Sequence, residues 1–125
     1  MLNKKVCVIG MGYIGLPTSA LLASKNFEVY GFDRNPKVLE NIKKYDVHTN
    51  EPGLKKILKK TLKKNLILCS DLKPSDVYII CVPTPVKKVN NINKSDISMV
   101  MDCINKMKYF LKPKDTIIIE STCPP

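Results

Sequence analysis

The segment that decides the fold is residues 10–15, which read Gly10-Met11-Gly12-Tyr13-Ile14-Gly15 and match the pattern GxGxxG. It follows the short β-branched run 4–9 and precedes a stretch, 13–25, that is predicted to be a helix. In this context the first glycine allows a tight turn, the second lets a pyrophosphate approach the backbone, and the third lets helix and strand pack closely. The helix N-terminus also offers N–H groups to phosphates. We therefore expect a dinucleotide to contact Gly10, Gly12, Tyr13, Ile14 and Gly15.

An acidic residue follows the loop at the expected distance. Asp33 lies 18 residues after Gly15, at the end of a second predicted strand, 28–32. A carboxylate there accepts hydrogen bonds from the ribose hydroxyls of the adenosine. This favours NAD, because the 2′-phosphate of NADP would meet the negative charge of Asp33. Arg34 is a further candidate contact, and because it could accommodate that phosphate, NADP stays open.

Predicted strands and helices alternate along the chain. Beyond those already named, we expect helices at 35–44, from about 54 to 64 and at 96–111, strands at 66–69, 76–82 and 116–119, and a polar loop at 87–95. Such alternation predicts an α/β fold, a Rossmann-type doubly wound parallel sheet with helices on both faces. A six-stranded domain would need one more unit, so residues 1–125 are expected to form a domain that stops after about five strands.

The amino-acid composition limits the classes of function that can be expected for this protein. The formal net charge is +10, but 20 of the 21 basic residues are lysines, and six of these fall on the predicted helix that ends near 64. Lysines without arginine forks and stacking aromatic rings are a weak signal for nucleic acid, so no specific nucleic-acid partner is expected. The lysine-rich helix is interpreted as having one solvated face.

The cellular location of the protein and the state of its cysteines are predicted from features that the sequence lacks. No apolar run reaches the length of a membrane span, and the N-terminus is unlike a signal peptide, so we expect a cytoplasmic protein without a membrane partner. The five cysteines include no CxxC pair, and hence no metal site is expected. Cys7, Cys69 and Cys81 lie in apolar strands and are interpreted as small core residues.

Four segments carry a family resemblance: 12–17 (GYIGLP), 51–54 (EPGL), 76–85 (DVYIICVPTP) and 120–122 (EST). In this order they resemble the N-terminal domain of the UDP-glucose/GDP-mannose dehydrogenase family, over essentially the whole chain. Leu16-Pro17, Val47-His48 and the segment 82–87 are similar to its UDP-N-acetylmannosamine dehydrogenase branch. UDP-glucose, UDP-N-acetylglucosamine and UDP-N-acetylgalactosamine stay open as substrates.

The resemblance implies an enzyme that oxidises the C6 alcohol of a UDP-sugar to a carboxylate and reduces two NAD, for polysaccharide precursor synthesis. In the family the nucleophilic cysteine, the central dimerising helix and most of the sugar pocket lie in later parts of the chain. This chain alone is therefore expected to be inactive, and Cys123 is not taken as the nucleophile. By resemblance, Thr84 reaches a cofactor ribose, and Thr122 lies near the nicotinamide and positions the hydrolytic water.

Two other interpretations remain. A stand-alone NAD-binding module without catalysis would need the same loop and acid. A β-hydroxyacid dehydrogenase shares both features but would not explain segments 51–54 and 82–85. His48, the only histidine of the sequence, lies in a loop before segment 51–54, where a structural role is expected.

Overall fold

The structure, a computed structural model, describes residues 4–122, so the expectation about Cys123 lies outside the described residues. In chain order the elements are β1 (Lys5–Ile9), α1 (Gly15–Ser24), β2 (Glu28–Phe32), α2 (Pro36–Lys43), α3 (Leu54–Thr61), β3 (Leu66–Cys69), β4 (Val77–Ile80), β5 (Val86–Val89), β6 (Ile92–Ser95), α4 (Ser98–Met107) and β7 (Thr116–Ile119). Within the described residues, no helix has both the length and the apolar character needed to cross a bilayer.

Five of the strands form one parallel sheet in the order β3-β2-β1-β4-β7. The central strand β1 pairs with β2 on one side and with β4 on the other, so the chain reverses its direction of winding there. This is the predicted doubly wound sheet with five strands, and it is confirmed. The crevice at such a reversal, outside the carboxyl ends of the strands, is where open α/β folds bind ligands.

Helices cover both faces of the sheet, because side chains along a strand point alternately to its two sides. Val6 and Val8 of β1 pack in a cluster with residues of α1, α2 and α3. Cys7 and Ile9 pack in a second cluster, with residues of α4. Because β1 is buried on both faces, its sequence is continuously apolar rather than alternating.

The helices differ in how well their buried faces could be predicted. In α3, Leu54 and Leu58 are buried and the lysines are exposed, as expected. The apolar sequence around α1 predicts that Ile14, just before the helix, and Leu21 lie near its buried face, but their side chains are 57% and 55% exposed. The close contact of Gly15 with the turn below fixes the rotation of this helix, so that small residues such as Ala20 face the sheet.

Helix α4 also departs from the prediction. It begins at Ser98 and ends at Met107, which is shorter than the expected 96–111. Its buried side chains are Val100, Cys103 and Met107, whereas Met101, which helical spacing from Ile97 and Ile104 predicts on the buried face, is 46% exposed. The apolar residues of the sequence extend beyond both ends of the helix, so the buried face lies part of a turn away from the one that their spacing predicts.

The segment 87–95, expected to be a loop, contains an antiparallel hairpin of β5 and β6. Asn90 and Asn91 at its tip have φ angles of 51° and 61°, as a two-residue hairpin turn requires. An ion pair between Lys87 and Asp96 and a 2.8 Å hydrogen bond from the Asp96 N–H to the Pro85 carbonyl close its base. The prediction was wrong because both strands are exposed and largely polar, so they lack the alternation that marks a half-buried strand.

Candidate nucleotide-binding cleft

The turn between β1 and α1 depends on two glycines. Gly10 has a φ of +97°, and a Cβ at this position would lie 2.8 Å from the Cys81 carbonyl oxygen. A Cβ on Gly15 would lie only 1.7 Å from the Gly10 carbonyl oxygen. A larger residue at Gly10 would press against the backbone that follows β4, and one at Gly15 would push the helix away from the turn, so both glycines are required by contacts within the protein itself.

Gly12 is in a different situation, because a Cβ placed on it would meet no atom within 4 Å. It is exposed at the mouth of the turn, with the side chains of Tyr13 and Ile14 70% and 57% exposed beside it. The first turn of α1, which lies entirely in the described part of the chain, carries no acidic side chain. The space next to Gly12 is therefore open to a group that approaches the backbone, and the helix terminus favours an anion.

Asp33 lies beside this turn, at the end of β2. One of its oxygens, Oδ2, accepts a hydrogen bond from the Met11 N–H at 2.9 Å, and Oδ1 accepts one from the Asn35 N–H at 2.8 Å. These bonds fix the orientation of the carboxylate. Each carboxylate oxygen has two acceptor positions, so Asp33 can still accept hydrogen bonds from two hydroxyls.

Arg34 lies next to a separate groove rather than in the main cleft. Its guanidinium donates to the Met99 sulfur at 3.9 Å, which directs the side chain toward α4. This groove has a volume of about 110 Å³ and is also lined by Val82, Pro83 and Lys106. The sequence did not indicate that α4 borders this groove, because the β5–β6 hairpin separates the helix from β4 along the chain.

The ends of β4 and β7 bring two candidate threonines together. The hydroxyl oxygens of Thr84 and Thr122 lie 2.8 Å apart, although the residues are 38 positions apart in the chain. Next to them, the Ser121 hydroxyl donates to the Val82 carbonyl at 2.6 Å, which ties the two strand ends together. The pair thus offers hydroxyl groups at the opposite end of the crevice from Asp33.

A cysteine and a glutamate meet at the same end. The Cys81 thiol donates to Glu120 Oε2 at 3.5 Å, and burial, together with the nearby Glu120 carboxylate, raises the pKa of Cys81 to about 12. Cys81 is half-buried: it packs against the core cluster that contains Val8, as expected, and it also lines the cleft, which the sequence did not indicate. Cys7 and Cys69, in contrast, are buried in the core as expected.

Most of the predicted site residues line one cleft of about 470 Å³. They are Gly10, Gly12, Tyr13, Ile14, Asp33, Thr84 and Thr122, joined by Cys81, Val82, Pro83, Glu120 and Ser121. Gly15 lies beneath the turn, and Arg34 lines the adjoining groove. His48 is exposed and lines a smaller pocket of about 130 Å³ on the other side of Gly12. The cleft has an open glycine backbone at its centre, a carboxylate at one end and hydroxyls at the other, which fits a dinucleotide.

The chain is similar to known members of one protein family. Residues 4–125 match the family model described as "UDP-glucose/GDP-mannose dehydrogenase family, NAD binding domain". A UDP-N-acetyl-D-mannosamine dehydrogenase of Methanococcus maripaludis is 42% identical over 98% of this chain and 29% of its own length. One from Campylobacter jejuni is 40% identical over 97% of this chain and 30% of its own length.

A solved structure agrees with these relatives. The UDP-N-acetyl-mannosamine dehydrogenase of S. aureus superimposes with a TM-score of 0.89 at 38% identity, over 97% of this chain and 29% of that protein. This chain thus spans less than a third of the length of the relatives it matches. The description of this family domain names NAD as its cofactor, and NAD is the dinucleotide that the position of Asp33 predicts. The chain therefore belongs to the UDP-glucose/GDP-mannose dehydrogenase family, in which it corresponds to the NAD-binding domain.

Proposed function

We propose that this chain is the NAD-binding part of a nucleotide-sugar 6-dehydrogenase. In this proposal the enzyme oxidises UDP-N-acetylmannosamine to UDP-N-acetylmannosaminuronic acid, reduces two NAD, and supplies a polysaccharide precursor in the cytoplasm. The observation that carries the proposal is the placement of the open Gly12 backbone between Asp33 and the Thr84–Thr122 pair in one cleft. In doubly wound folds the pyrophosphate of NAD lies on the glycine turn and its adenosine ribose on the acidic residue, which leaves the nicotinamide end to extend toward the threonines.

Each part of the cleft has a role in holding the cofactor. The Gly12 backbone and the start of α1 receive the pyrophosphate, with Tyr13 and Ile14 beside it. Asp33 accepts the hydroxyls of the adenosine ribose, and the groove next to Arg34 takes the adenine. Bound NAD supplies the hydride acceptor. Thr84 donates to the second ribose, and Thr122 holds a water near the nicotinamide.

The choice of sugar rests on the relatives. The most similar of the proteins named above are UDP-N-acetyl-D-mannosamine dehydrogenases at 40–42% identity. The sequence features at Leu16-Pro17 and in segment 82–87 point to the same branch. We propose that the UDP-sugar binds mostly to parts of the enzyme outside this chain, and that the enzyme acts as a homodimer or larger assembly. The 125-residue chain by itself binds NAD without turnover.

An NADH assay tests the proposal. The protein encoded by the uninterrupted reading frame is offered UDP-N-acetylmannosamine, UDP-N-acetylglucosamine, UDP-N-acetylgalactosamine and UDP-glucose in parallel. We expect two NADH per UDP-N-acetylmannosamine and little from the others. Two NADH per molecule of another UDP-sugar would support the proposed reaction but show that this other sugar is the substrate. If the protein binds NAD but produces no NADH from any sugar, it is better explained as a non-catalytic NAD-binding module. If the 125-residue chain alone produces NADH, the proposal that it is inactive by itself is wrong.

A further inference from the structure

The cleft contains two carboxylates whose surroundings differ. Asp33, at the end of β2, accepts one hydrogen bond from a backbone N–H on each of its oxygens, at 2.9 and 2.8 Å. Glu120, directly after β7, receives a hydrogen bond from the weakly polar Cys81 thiol at 3.5 Å. In the part of the chain that the structure describes, Glu120 is in none of the ion pairs. Its negative charge is thus exposed to the cleft in a protein whose formal net charge is +10.

The order of the strands determines which part of a dinucleotide meets each carboxylate. Asp33 follows β2 and the glycine turn follows β1, so an adenosine on Asp33 and a pyrophosphate on Gly12 leave the other nucleoside to extend toward β4 and β7. The end of β7 lies two strand spacings, or about 10 Å, from the end of β1. That distance is within reach of the nicotinamide riboside, and Glu120 lines the same cleft as Gly12.

The nicotinamide ring is the one part of the cofactor that changes charge during oxidation of a substrate. In NAD⁺ the ring carries a positive charge, and in NADH it is neutral, whereas the adenosine and pyrophosphate are the same in both. The other polar side chains at this end of the cleft, the Cys81 thiol and the hydroxyls of Thr84, Ser121 and Thr122, are neutral. A carboxylate at this end therefore interacts more favourably with the oxidised cofactor, while Asp33 contacts a part that is identical in both.

We infer that Glu120 sets the redox preference of the cleft: its carboxylate makes the site bind NAD⁺ more tightly than NADH. This inference rests on the proposed function, since it requires that NAD occupies the cleft with its nicotinamide toward β7. Such a preference favours entry of the oxidised cofactor and release of the reduced one. Glu120 contributes through its charge rather than its shape, and the Cys81 thiol holds the carboxylate in place.

The test is the ratio of the dissociation constants for NADH and NAD⁺, measured by isothermal titration calorimetry on the 125-residue chain at low ionic strength. The wild type is compared with Glu120→Asp, Glu120→Gln and Glu120→Lys, and circular dichroism checks that each variant folds. We expect Glu120→Gln to lower the ratio about three- to tenfold, through weaker NAD⁺ binding with NADH affinity retained. Glu120→Asp should keep most of the ratio, and Glu120→Lys should lower it further.

Asp33→Asn is the matched control, because it changes a carboxylate that meets the unchanging half of the cofactor. It should weaken NAD⁺ and NADH by the same factor and leave the ratio as in the wild type. A ratio that stays the same in Glu120→Gln and Glu120→Lys, with both nucleotides still bound, would overturn the inference about Glu120 alone. Failure of the wild-type chain to bind either nucleotide would instead overturn the proposed function.

Discussion

The two ends of the cleft are built in different ways. At the β1–α1 turn the site consists of backbone, and its shape follows from contacts between Gly10, Gly15 and the carbonyl oxygens around them. At the other end it consists of side chains, the hydroxyls of Thr84 and Thr122 and the carboxylate of Glu120, from segments far apart in the chain. The turn is therefore tied to the stability of the fold. The side-chain end can change its chemistry while the fold stays intact.

The largest effect should come from adding a methyl group inside the turn. Gly15→Ala places a Cβ 1.7 Å from the Gly10 carbonyl oxygen, so the helix must shift. We expect the free energy of unfolding to fall by about 3 kcal/mol and NAD affinity to fall more than about a hundredfold. Urea denaturation and calorimetric titration measure the two quantities.

Gly12→Ala is the matched control for this variant, because its Cβ meets no atom within 4 Å. It should change the free energy of unfolding by less than about 0.5 kcal/mol and still weaken NAD binding, since the added methyl group occupies the space of the pyrophosphate. Equal losses of stability in the two alanine variants would contradict the distinction between the glycines.

Removing the charge of Asp33 tests the adenosine side. Asp33→Asn should weaken NAD binding at least about tenfold, because hydrogen bonds to a charged acceptor are lost. The free energy of unfolding should fall by about 1 kcal/mol, since the bonds from the Met11 and Asn35 N–H groups are also affected. Calorimetric titration provides the affinity, and unchanged binding would show that Asp33 makes no contact with the cofactor.

The buried thiol of Cys7 in β1 makes stability depend on pH. Burial raises the pKa of Cys7 from 9.0 to about 12. Below about pH 8 the thiol is protonated in both states, so it adds no pH dependence. Between pH 9 and 12 the unfolded chain loses this proton while the folded chain keeps it. Stability is thus lost as pH rises, by at most about 1.4 kcal/mol per pH unit.

Cys7→Ala lacks this titration, so it isolates the effect from that of the lysines and tyrosines. The stability of the wild type, measured by urea denaturation, should fall more steeply with pH than that of the variant in this window. Parallel curves for the two proteins would show that the Cys7 thiol is not held protonated by burial.

The smallest effect should come from the threonine pair. Thr84→Val and Thr122→Val each remove one partner of the 2.8 Å hydrogen bond between partly exposed hydroxyls. In a double-mutant cycle on unfolding we expect a coupling energy of about 0.5–1 kcal/mol. NAD affinity should fall in both single variants. If the losses of unfolding free energy in the two single variants add up to the loss in the double variant, the two hydroxyls do not form a hydrogen bond in solution.

The sequence predicts the two ends of the cleft unequally: the glycine-turn end was predictable, and the side-chain end only in part. The strand, turn and helix around residues 10–15 were predictable because the steric demand on each glycine is local. The alternation of strands and helices was sufficient to predict the sheet and its two covered faces. Asp33 was found because its position at the end of β2 follows from the fold alone.

The features that were missed depend on contacts between distant segments. The link between Cys81 and Glu120 requires β4 and β7 to be neighbours in the sheet, which spacing along the chain does not reveal. The exposure of Ile14 and Leu21 depends on how Gly15 sets the rotation of α1. The β5–β6 hairpin did leave a local signal, since consecutive asparagines tolerate the positive φ angles of its turn.

The most direct test of the central claim is to map NAD⁺ binding on the ¹⁵N-labelled chain by NMR. If one NAD molecule spans the cleft, amide shifts should appear at Gly12, next to Asp33, and at Thr84 and Thr122. Helix α3, with its exposed lysines, should be unaffected. Shifts confined to α3 would mean that phosphates bind there through charge alone, and this would contradict a dinucleotide site between the glycine turn and the threonine pair.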